Sequence, residues 1–449
     1  MAKHAIIRPT MALSTKPYRG ARDFYPEDKR LQKYMFGIWR AVAERFGYEE
    51  YDAPILEPLE IYLAKTGEEI VKEQTYAFED RGGRQVVIRP EMTPTVSRMV
   101  AARRQELAYP LRWYSIPNLW RYERPQRGRL REHWQLNVDI FGVAGVTAEY
   151  EIISLVDAMF KEFGAKPQAY EIRLNSRKLM DFALSEYLGF SKPEAHAISK
   201  LIDRMHKMEK GAFISKIDAT ISPKAREAGT VEKLLALLET KDLAKLPPGL
   251  REHQSAAELR DLLDQLAGNG VKNARFDISI MRGFDYYTDI VFEVYDKHPD
   301  NNRSMVAGGR YDGLVGLFGV APVPTVGFGW GDVTLANFLE LHHLLPGFKP
   351  ETAVYVVLVG DVADRAQKPI AELRAAGLNV AVDLSGKKIG DQFKTADKKG
   401  IGQVLVIGEN ELEDGRFTLK DLKTGVEKKG ELKALAKLIK TTRPPHDSD

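Results

Sequence analysis

Apolar residues recur every three or four positions in the segment that follows Pro26. This spacing predicts an amphipathic helix that begins at Pro26, because a proline suits the first turn of a helix, and ends at Gly47. The apolar positions are Leu31, Tyr34, Met35, Ile38, Trp39, Val42 and Phe46. We expect this face of the helix to be buried.

Beyond the helix, short apolar or alternating segments follow one another closely, with turn residues between them. They predict strands at 49–53, 74–79, 85–89, 113–116, 120–123 and 134–141. The sequence DRGG at 80–83 predicts a hairpin turn between the second and the third of these strands. Strands joined by tight turns, without a helix between each pair, favour an antiparallel sheet over a Rossmann sheet.

The pattern becomes helical and highly charged over 176–270, where strand signals are few. Strand patterns return at 274–280 and 288–295. We therefore predict a larger α+β domain in two parts, 17–175 and 271–345, separated by a helical insertion over 176–270.

A segment at 345–350 that contains proline and glycine marks a second boundary. Beyond it, predicted strands alternate with helices. The strands are 354–359, 380–384, 403–407, 416–423 and 425–429, and the helices are 362–376, 391–399 and 431–439. This alternation predicts a small α/β domain over 350–440, with mostly parallel strands and a hairpin at one edge.

The amino-acid composition excludes some classes of protein and function. A chain of 449 residues predicts two to four domains, and 66 basic against 63 acidic residues leave no bulk charge that would indicate nucleic-acid binding. The absence of cysteine excludes thiol catalysis and cysteine-ligated zinc. No apolar run approaches the ~20 residues that cross a bilayer. We expect a cytoplasmic protein with no membrane partner, whose residues 1–16 form a flexible leader rather than a transit peptide.

The densest cluster of charge is RYERPQRGRLR at 121–131, with five arginines in eleven residues. Pro125 and Gly128 predict a loop between two strands. The planar fork of arginine matches phosphate oxygens, whereas a solvated hairpin tip would use lysine or glutamate equally well. The segment therefore favours a nucleotide-binding loop.

The first nine residues of this loop closely resemble motif 2 of the class II aminoacyl-tRNA synthetases, in the form found in the histidyl-tRNA synthetases. Four other segments resemble signatures of the same family, in the same order along the chain. They are RGARD at 19–23, RPEMT at 89–93, RGFDYYT at 282–288 and AGGRYDGL at 307–314. The resemblance implies a catalytic domain with an antiparallel sheet, a helical insertion and a C-terminal anticodon-binding-like domain.

The resemblance also implies a reaction in two steps. Histidine and ATP give histidyl-adenylate and pyrophosphate, and the histidyl group then passes to the 3′ end of tRNA(His). Arg121 and Arg282 match the family's catalytic arginines, which neutralise charge as the carboxylate attacks the α-phosphorus. No side chain needs to act as a base, because that carboxylate is already ionised. Mg²⁺ enters with ATP and is held mostly by phosphate oxygens, so no metal ligands are expected from the protein.

Further roles follow from the resemblance, residue by residue. The implied histidine-binding residues are Glu91, Met92, Thr93, Gln135, Asp139, Tyr286, Tyr287 and Tyr311. The implied ATP-binding residues are Arg121, Glu123, Arg129, His133 and Arg310, and the implied tRNA-binding residues are Gln126 and Arg131. The family usually has glutamate where Asp139 stands, which implies a contact shorter by one methylene or bridged by water. Core packing of either Tyr286 or Tyr287 stays open, because adjacent strand residues face opposite sides.

Motif 3 departs from the family pattern. The glycine-rich strand 326–331 is followed by Asp332, Val333 and Thr334, where the family has Glu-Arg at the start of a helix. That arginine lies against adenine and meets the γ-phosphate, and Thr334 can do neither. The loss should cost about 1.5–3 kcal/mol unless Arg129 or Arg310 compensates. Because His133-Trp134 also stands in place of an aromatic-histidine pair, the residue that stacks on adenine stays open.

Two alternatives to the enzyme remain. One is a non-catalytic, histidine-binding paralogue that acts as regulatory subunit of ATP phosphoribosyltransferase, and the other is a tRNA-sensing module. The paralogue usually lacks the C-terminal domain and the arginine-rich loop, both of which are present here, so the enzyme is favoured. The family forms homodimers, and the helix to Phe46 with the strand to Pro54 resembles its interface motif. Core burial would explain the same apolar stripe.

Overall fold

The computed structural model describes residues 13–63, 74–205, 208–281, 286–301 and 303–441. Most of the predicted leader and the predicted catalytic residue Arg282 lie outside the described residues. The chain divides into two compact units. The larger comprises 13–24 and 32–345, and the smaller comprises 346–441 together with Tyr25–Leu31.

The larger unit is built on β-strands joined mostly by short connections. In chain order they are β1 (Glu49–Glu50), β2 (Leu56–Pro58), β3 (Tyr76–Glu79), β4 (Gln85–Ile88), β5 (Leu111–Ser115), β6 (Asn118–Trp120), β7 (Glu132–Phe141), β8 (Tyr170–Ser176), β9 (Ala274–Phe276), β10 (Ile290–Asp296), β11 (Ser304–Arg310) and β12 (Thr325–Gly331). Within the described residues, nine of them form one sheet in the order β1-β5-β7-β12-β11-β10-β8-β9, with β6 paired to β7. The other three form a small sheet in the order β2-β4-β3.

The central strands of the large sheet are antiparallel, as the sequence predicts. The two outermost strands differ: β1 pairs with β5, and β9 with β8, in parallel. Both are short edge strands, of two and three residues, so the sheet is mixed only at its borders. The predicted hairpin is present as β3 and β4, which pair from Tyr76↔Ile88 to Glu79↔Gln85.

Helices before residue 346 lie mainly between β8 and β9. In chain order they are α1 (Pro26–Arg45), α2 (Glu60–Leu63), α3 (Thr93–Ala102), α4 (Thr147–Glu162), α5 (Arg177–Phe182), α6 (Lys192–Asp203), α7 (Lys210–Thr220), α8 (Pro223–Glu227), α9 (Thr230–Leu238), α10 (Pro248–Arg251), α11 (Gln254–Gly268) and α12 (Asp332–Leu341). Single turns at Ala183–Tyr187, Leu243–Lys245 and Val315–Phe318 complete the set. None of the helices within the described ranges is both long and apolar enough for a membrane span.

Helices α5 to α11 occupy the interval predicted as an insertion. Strand β8 ends at Ser176, whose hydroxyl accepts a hydrogen bond from the backbone N–H of Leu179 and so caps α5. These helices belong to the same compact unit as the sheet. Their assignment to a separate inserted domain stays a prediction.

The apolar stripe of α1 is buried in the larger unit. Met35, Trp39 and Val42 are almost inaccessible, and the ring of Trp39 lies 5.9 Å from that of Trp330 in β12. Core burial therefore accounts for these three positions, while the other apolar positions of the stripe are half-buried.

One face of the large sheet is closed by aromatic packing. Phe160 of α4 stacks on Tyr170 at 4.1 Å and on Trp330 at 4.4 Å, and it meets Phe338 of α12 edge-on. Along β7, Leu136, Val138 and Ile140 are buried, and they alternate with polar residues. Because strand side chains alternate between faces, the polar set lies on the opposite face of the sheet.

The smaller unit is an α/β domain with its own core. It contains β13 (Val354–Leu358), β14 (Val380–Val382), β15 (Gln403–Ile407), β16 (Arg416–Asp421) and β17 (Glu427–Glu431), and the helices α13 (Gln367–Ala375), α14 (Ile389–Lys398), α15 (Glu409–Asp414) and α16 (Leu432–Thr441). The strand order is β14-β13-β15-β16-β17, parallel over the first three strands and antiparallel over the last two. The predicted edge hairpin is therefore present. The first helix begins at Gln367, five residues later than predicted, because turns occupy the preceding segment.

Candidate active site

A cleft of about 190 Å³ opens on the polar face of the large sheet. Eight predicted site residues line it: Glu91, Thr93, Arg121, His133, Gln135, Tyr286, Tyr287 and Tyr311. Other lining residues had not been predicted as ligand contacts, among them Asn137, Ser304, Met305, Ala307 and Phe328. The alternation of side chains along β7 would also predict Asn137 as a cleft residue, because it lies between Gln135 and Asp139 on the same face.

Asp139 lies under the cleft with one carboxylate oxygen engaged and one free. Its Oδ1 accepts a hydrogen bond from the hydroxyl of Tyr311. Its Oδ2 is buried and has no hydrogen-bond partner among the described residues, and the same holds for Oδ1 of Asn137. Burial raises the pKa of Asp139 to about 7, against the opposing effect of the Tyr311 hydrogen bond. Two unpaired buried acceptors favour a ligand that carries N–H donors.

Glycines in β12 make room for these polar side chains. Gly327 pairs directly with Asp139 across the strands, and a Cβ at Gly327 would overlap the Asp139 carboxylate and lie 3.0 Å from the Tyr311 hydroxyl. A Cβ at Gly329 would overlap the Gln135 amide. The absence of side chains at Gly327 and Gly329 is therefore what allows β7 to present its polar residues to the cleft.

Three tyrosines form an aromatic wall. The ring of Tyr286 lies 4.8 Å from Tyr287 and 5.5 Å from Tyr311. Both members of the adjacent pair line the cleft, because they precede β10 and do not follow the alternation of a strand. The sequence leaves core packing of Tyr286 or Tyr287 open, because adjacent strand residues face opposite sides. That reason does not apply to this pair.

The start of α3 forms another border of the cleft. The Tyr286 hydroxyl donates to Oε2 of Glu91 at 3.2 Å, and the Tyr62 hydroxyl donates to the Glu91 carbonyl at 3.2 Å. Thr93 is the first residue of α3 and lines the cleft. Met92 precedes it and is fully buried, outside the lining, so its predicted histidine contact is not supported by its position.

Positive charge surrounds another part of the cleft. Arg121 is anchored through Nε to the Pro90 carbonyl at 2.8 Å, and no described carboxylate forms an ion pair with it. Desolvation lowers the pKa of His133 to about 3, and the neighbouring charges of Arg121, Arg22 and Arg129 lower it further. His133 is therefore a neutral imidazole within a cationic surface, which is suited to a polyanion.

The arginine-rich loop lies mostly at the surface. Arg129 forms an ion pair with the buried Glu123 at 2.7 Å, and Gln126 is exposed. Arg131 stacks over Tyr122 at 3.8 Å and donates to the Tyr18 hydroxyl at 3.0 Å. None of these predicted residues lines the cleft itself.

Arg310 is directed away from the cleft. Its guanidinium makes a bidentate ion pair with Glu149, at 2.7 Å for both contacts, and donates to the Val143 and Gly145 carbonyls. Both charged groups are buried. This placement argues against the predicted contact with ATP, since breaking a buried ion pair would leave Glu149 uncompensated.

Asp332 connects the start of α12 to the N-terminal segment. Its buried carboxylate forms an ion pair with Arg22 at 2.7 Å and accepts from the Trp134 backbone at 3.0 Å. The Gly20 carbonyl accepts from the Arg131 backbone at 2.9 Å, so the same segment also holds the arginine-rich loop. Thr334 lines the cleft, and its hydroxyl donates to the Gly331 carbonyl at 2.9 Å.

The position of His133 leads to a spectroscopic prediction. Because its pKa is about 3, the ring should stay neutral from pH 5 to pH 8. The ring signals of His133 can be assigned in long-range ¹H–¹⁵N spectra by their loss in a His133→Gln variant. In the wild type, these signals should not move between pH 5 and pH 8, with free histidine as the pH reference. A titration of these signals with a midpoint above pH 5 would contradict the burial of the ring beside these arginines.

The chain is similar to known proteins over most of its length. The family profile described as histidyl-tRNA synthetase matches residues 20–331, and the anticodon-binding-domain profile matches residues 353–442. The histidine–tRNA ligase of Leptospira biflexa is 45% identical over 413 residues, which cover 91% of this chain and 94% of that protein. The ligase of Thermoplasma volcanium is 38% identical over 409 residues, with the same two coverages.

Solved structures confirm the predicted class II synthetase-like fold. A histidyl-tRNA synthetase from Nostoc has a TM-score of 0.78 at 24% identity, covering 96% of this chain and all of that one. A protein described as ATP phosphoribosyltransferase regulatory subunit/histidyl-tRNA synthetase, from Bacillus halodurans C, has a TM-score of 0.71 at 23% identity. It covers 89% of this chain and 99% of that one. Fold alone therefore does not separate the enzyme from its paralogue, whereas the profiles and the sequence identities do. On those grounds, the chain belongs to the histidyl-tRNA synthetase family.

Proposed function

We propose that this chain is a histidine–tRNA ligase whose cleft activates histidine with ATP and transfers it to the 3′ end of tRNA(His). One observation carries the proposal. A buried acceptor of Asp139 beneath the cleft and one of Asn137 in its wall have no hydrogen-bond partner among the described residues, and the same cleft is lined by Arg121, with which no described carboxylate pairs. An amino acid needs the first set of groups and a nucleotide phosphate needs the second. A site that only stored histidine would require no cationic surface.

Histidine binds at the tyrosine-lined part of the cleft in this proposal. Its ammonium group faces Asp139 and Glu91, with Gln135 alongside. The imidazole lies against Tyr287 and Tyr311. The Tyr311 hydroxyl already donates to Asp139, so it can accept from a ring N–H of the ligand. Asn137, which the sequence did not single out, adds an acceptor beside these groups.

ATP binds along the cationic surface, with Arg121 at the α-phosphate. Its guanidinium is held by the Pro90 carbonyl and needs no rearrangement before it meets the phosphate. Arg282, which lies outside the described residues, is proposed as the second catalytic arginine. Activation then consists of bringing two anionic groups together, and the arginines lower the cost of that approach. Mg²⁺ would arrive with ATP and be held mostly by phosphate oxygens.

The regulatory-subunit alternative is the weaker account. The anticodon-binding profile covers 353–442, and relatives at 45% and 38% identity along most of the chain are named as ligases. The match to the anticodon-binding profile also supports tRNA binding by the smaller unit. In the larger unit, the exposed Gln126 is the better acceptor-stem candidate, because Arg131 is already engaged by Tyr18 and Tyr122. A cytoplasmic location follows from this function and is proposed with it.

Exchange of labelled pyrophosphate into ATP tests the activation step without tRNA. The wild type should catalyse exchange with histidine and not with other amino acids. Arg121→Ala should lose about 10²–10³-fold in rate, as for removal of one preorganised charge-stabilising group. Arg103→Ala is the matched control, because Arg103 is exposed and, among the described residues, its one ion pair is with Glu106 on its own turn. Histidine binding without any exchange in the wild type would favour the regulatory paralogue.

Histidine binding should depend on the ionisation of Asp139. The free carboxyl has a pKa of about 7, so it is mostly protonated at pH 6 and mostly ionised at pH 8. Because the ammonium group requires the carboxylate, the affinity for histidine should rise by about tenfold between these values. Calorimetry near pH 6.5, in two buffers with different ionisation enthalpies, should detect proton release on binding. The ligand's own imidazole contributes equally to proton release with both proteins. The Asp139→Asn variant should therefore release fewer protons than the wild type, by the amount that Asp139 contributes. Equal proton release by both proteins would exclude this role of Asp139.

We also propose that the chain is a homodimer. Ile55, Leu56 and Phe78 are about half exposed on or beside the small β2-β4-β3 sheet, and clustered exposed apolar residues mark contact surfaces. Sedimentation velocity should give twice the chain mass, and a Leu56→Glu/Phe78→Glu variant should shift toward the chain mass. A wild type that sediments as a monomer at micromolar concentration would disprove the dimer.

A further inference from the structure

Thr334 leaves the proposed ATP site without the arginine that motif 3 normally provides. The two substitutes suggested by the sequence are each already paired with a carboxylate. Arg310 is committed to Glu149 outside the cleft, and Arg129 is paired with Glu123. The site therefore needs a different cation if the polyphosphate is to be neutralised at this end.

Arg303 occupies the space between the arginine-rich loop and α12. A Cβ placed on Gly128, in the loop, would lie 3.2 Å from Cδ and 3.8 Å from Nε of Arg303. The same point lies 3.8 Å from the side-chain nitrogen of Asn337, one turn beyond Thr334. Arg303 therefore stands beside both segments that hold the nucleotide in this family, although it belongs to neither.

The backbone next to Arg303 is part of the cleft wall. Ser304 and Met305 line the cleft together with Thr334. The Thr334 hydroxyl also lies 3.4 Å from the Met305 carbonyl, two residues along from Arg303. A guanidinium carried at this position is close to the place that the missing arginine side chain would have occupied.

The charge of Arg303 is not neutralised within the described part of the chain, where no carboxylate pairs with it. Partial burial and the nearby positive charge of Arg129 both lower the pKa of Arg303, and Glu123 offsets this only in part. Arg303 and Arg129 are two cations held close together, and the carboxylate of Glu123 is paired with Arg129. Such an arrangement attracts an anion. The electrostatics and the position thus agree.

We infer that Arg303 replaces the motif 3 arginine and binds the β- and γ-phosphates of ATP. The inference rests on the proposed function and specifies how its ATP site is completed. In the activation step, a histidine carboxylate oxygen forms a bond to the α-phosphorus while the bond from that phosphorus to the bridging oxygen of pyrophosphate breaks. Pyrophosphate leaves with the electron pair, and Arg303 stabilises the negative charge that it gains.

The test compares two ligands that share adenosine but differ in the polyphosphate. One is ATP with Mg²⁺, and the other is a non-hydrolysable histidyl-adenylate analogue in which a sulfamate replaces the phosphate. Arg303→Ala should weaken ATP binding by about 10- to 100-fold, as for loss of a charged hydrogen bond, and leave the affinity for the analogue unchanged. Arg303→Lys should lose less, and Arg103→Ala should match the wild type for both ligands.

The outcomes are distinguishable from failure of the proposed function. If the wild type catalyses histidine-dependent exchange and Arg303→Ala keeps its affinity for ATP, the inference about Arg303 is wrong while the enzyme stands. Equal weakening of ATP and the analogue would also overturn it, because such a change reports a general distortion of the cleft. If the wild type gives no exchange, the proposed function falls and the role of Arg303 falls with it.

Discussion

Close approach between β7 and β12 is the constraint on which the site depends. Polar side chains from β7 can lie across the face of the sheet only because Gly327 and Gly329 leave the neighbouring strand bare. A side chain at Gly327 would occupy the volume of the Asp139 carboxylate, and one at Gly329 that of the Gln135 amide. The polar side chains of β7 thus extend over β12, while Trp330 of β12 packs against the aromatic core on the opposite face.

The cleft combines two electrostatic environments in a short space. Around Asp139, burial disfavours a charge that has no partner, so this part of the cleft is suited to a ligand with an ammonium group. Around His133, burial first and the neighbouring arginines second hold the imidazole neutral, and the arginines leave a surplus of positive charge. A reaction between an amino acid and a nucleoside triphosphate needs both environments side by side.

The sequence predicted more of the fold than of the distances within the site. The helix from Pro26, the hairpin of β3 and β4 and the strands of the smaller unit follow from local periodicity and turn residues, which act over a few positions. Arg310 shows the limit. Its motif resembles a ligand-binding signature, but the direction of its side chain is decided by Glu149, 161 residues away. Arg303 was overlooked for the same reason, because its neighbours Gly128 and Asn337 are distant in sequence and only the folded chain brings them together.

The ion pair between Arg22 and Asp332 joins positions 310 residues apart at a buried site. Asp332 has almost no access to water, so replacing Arg22 alone would leave a buried carboxylate without its ion pair. Replacing Asp332 alone costs less, because the Arg22 side chain is 27% exposed and can be solvated. A change at Arg22 is therefore best tolerated together with a change at Asp332. Over evolutionary time the two positions should therefore behave as one heritable unit, and the short N-terminal segment would be tied to the fate of a motif near the far end of the catalytic domain.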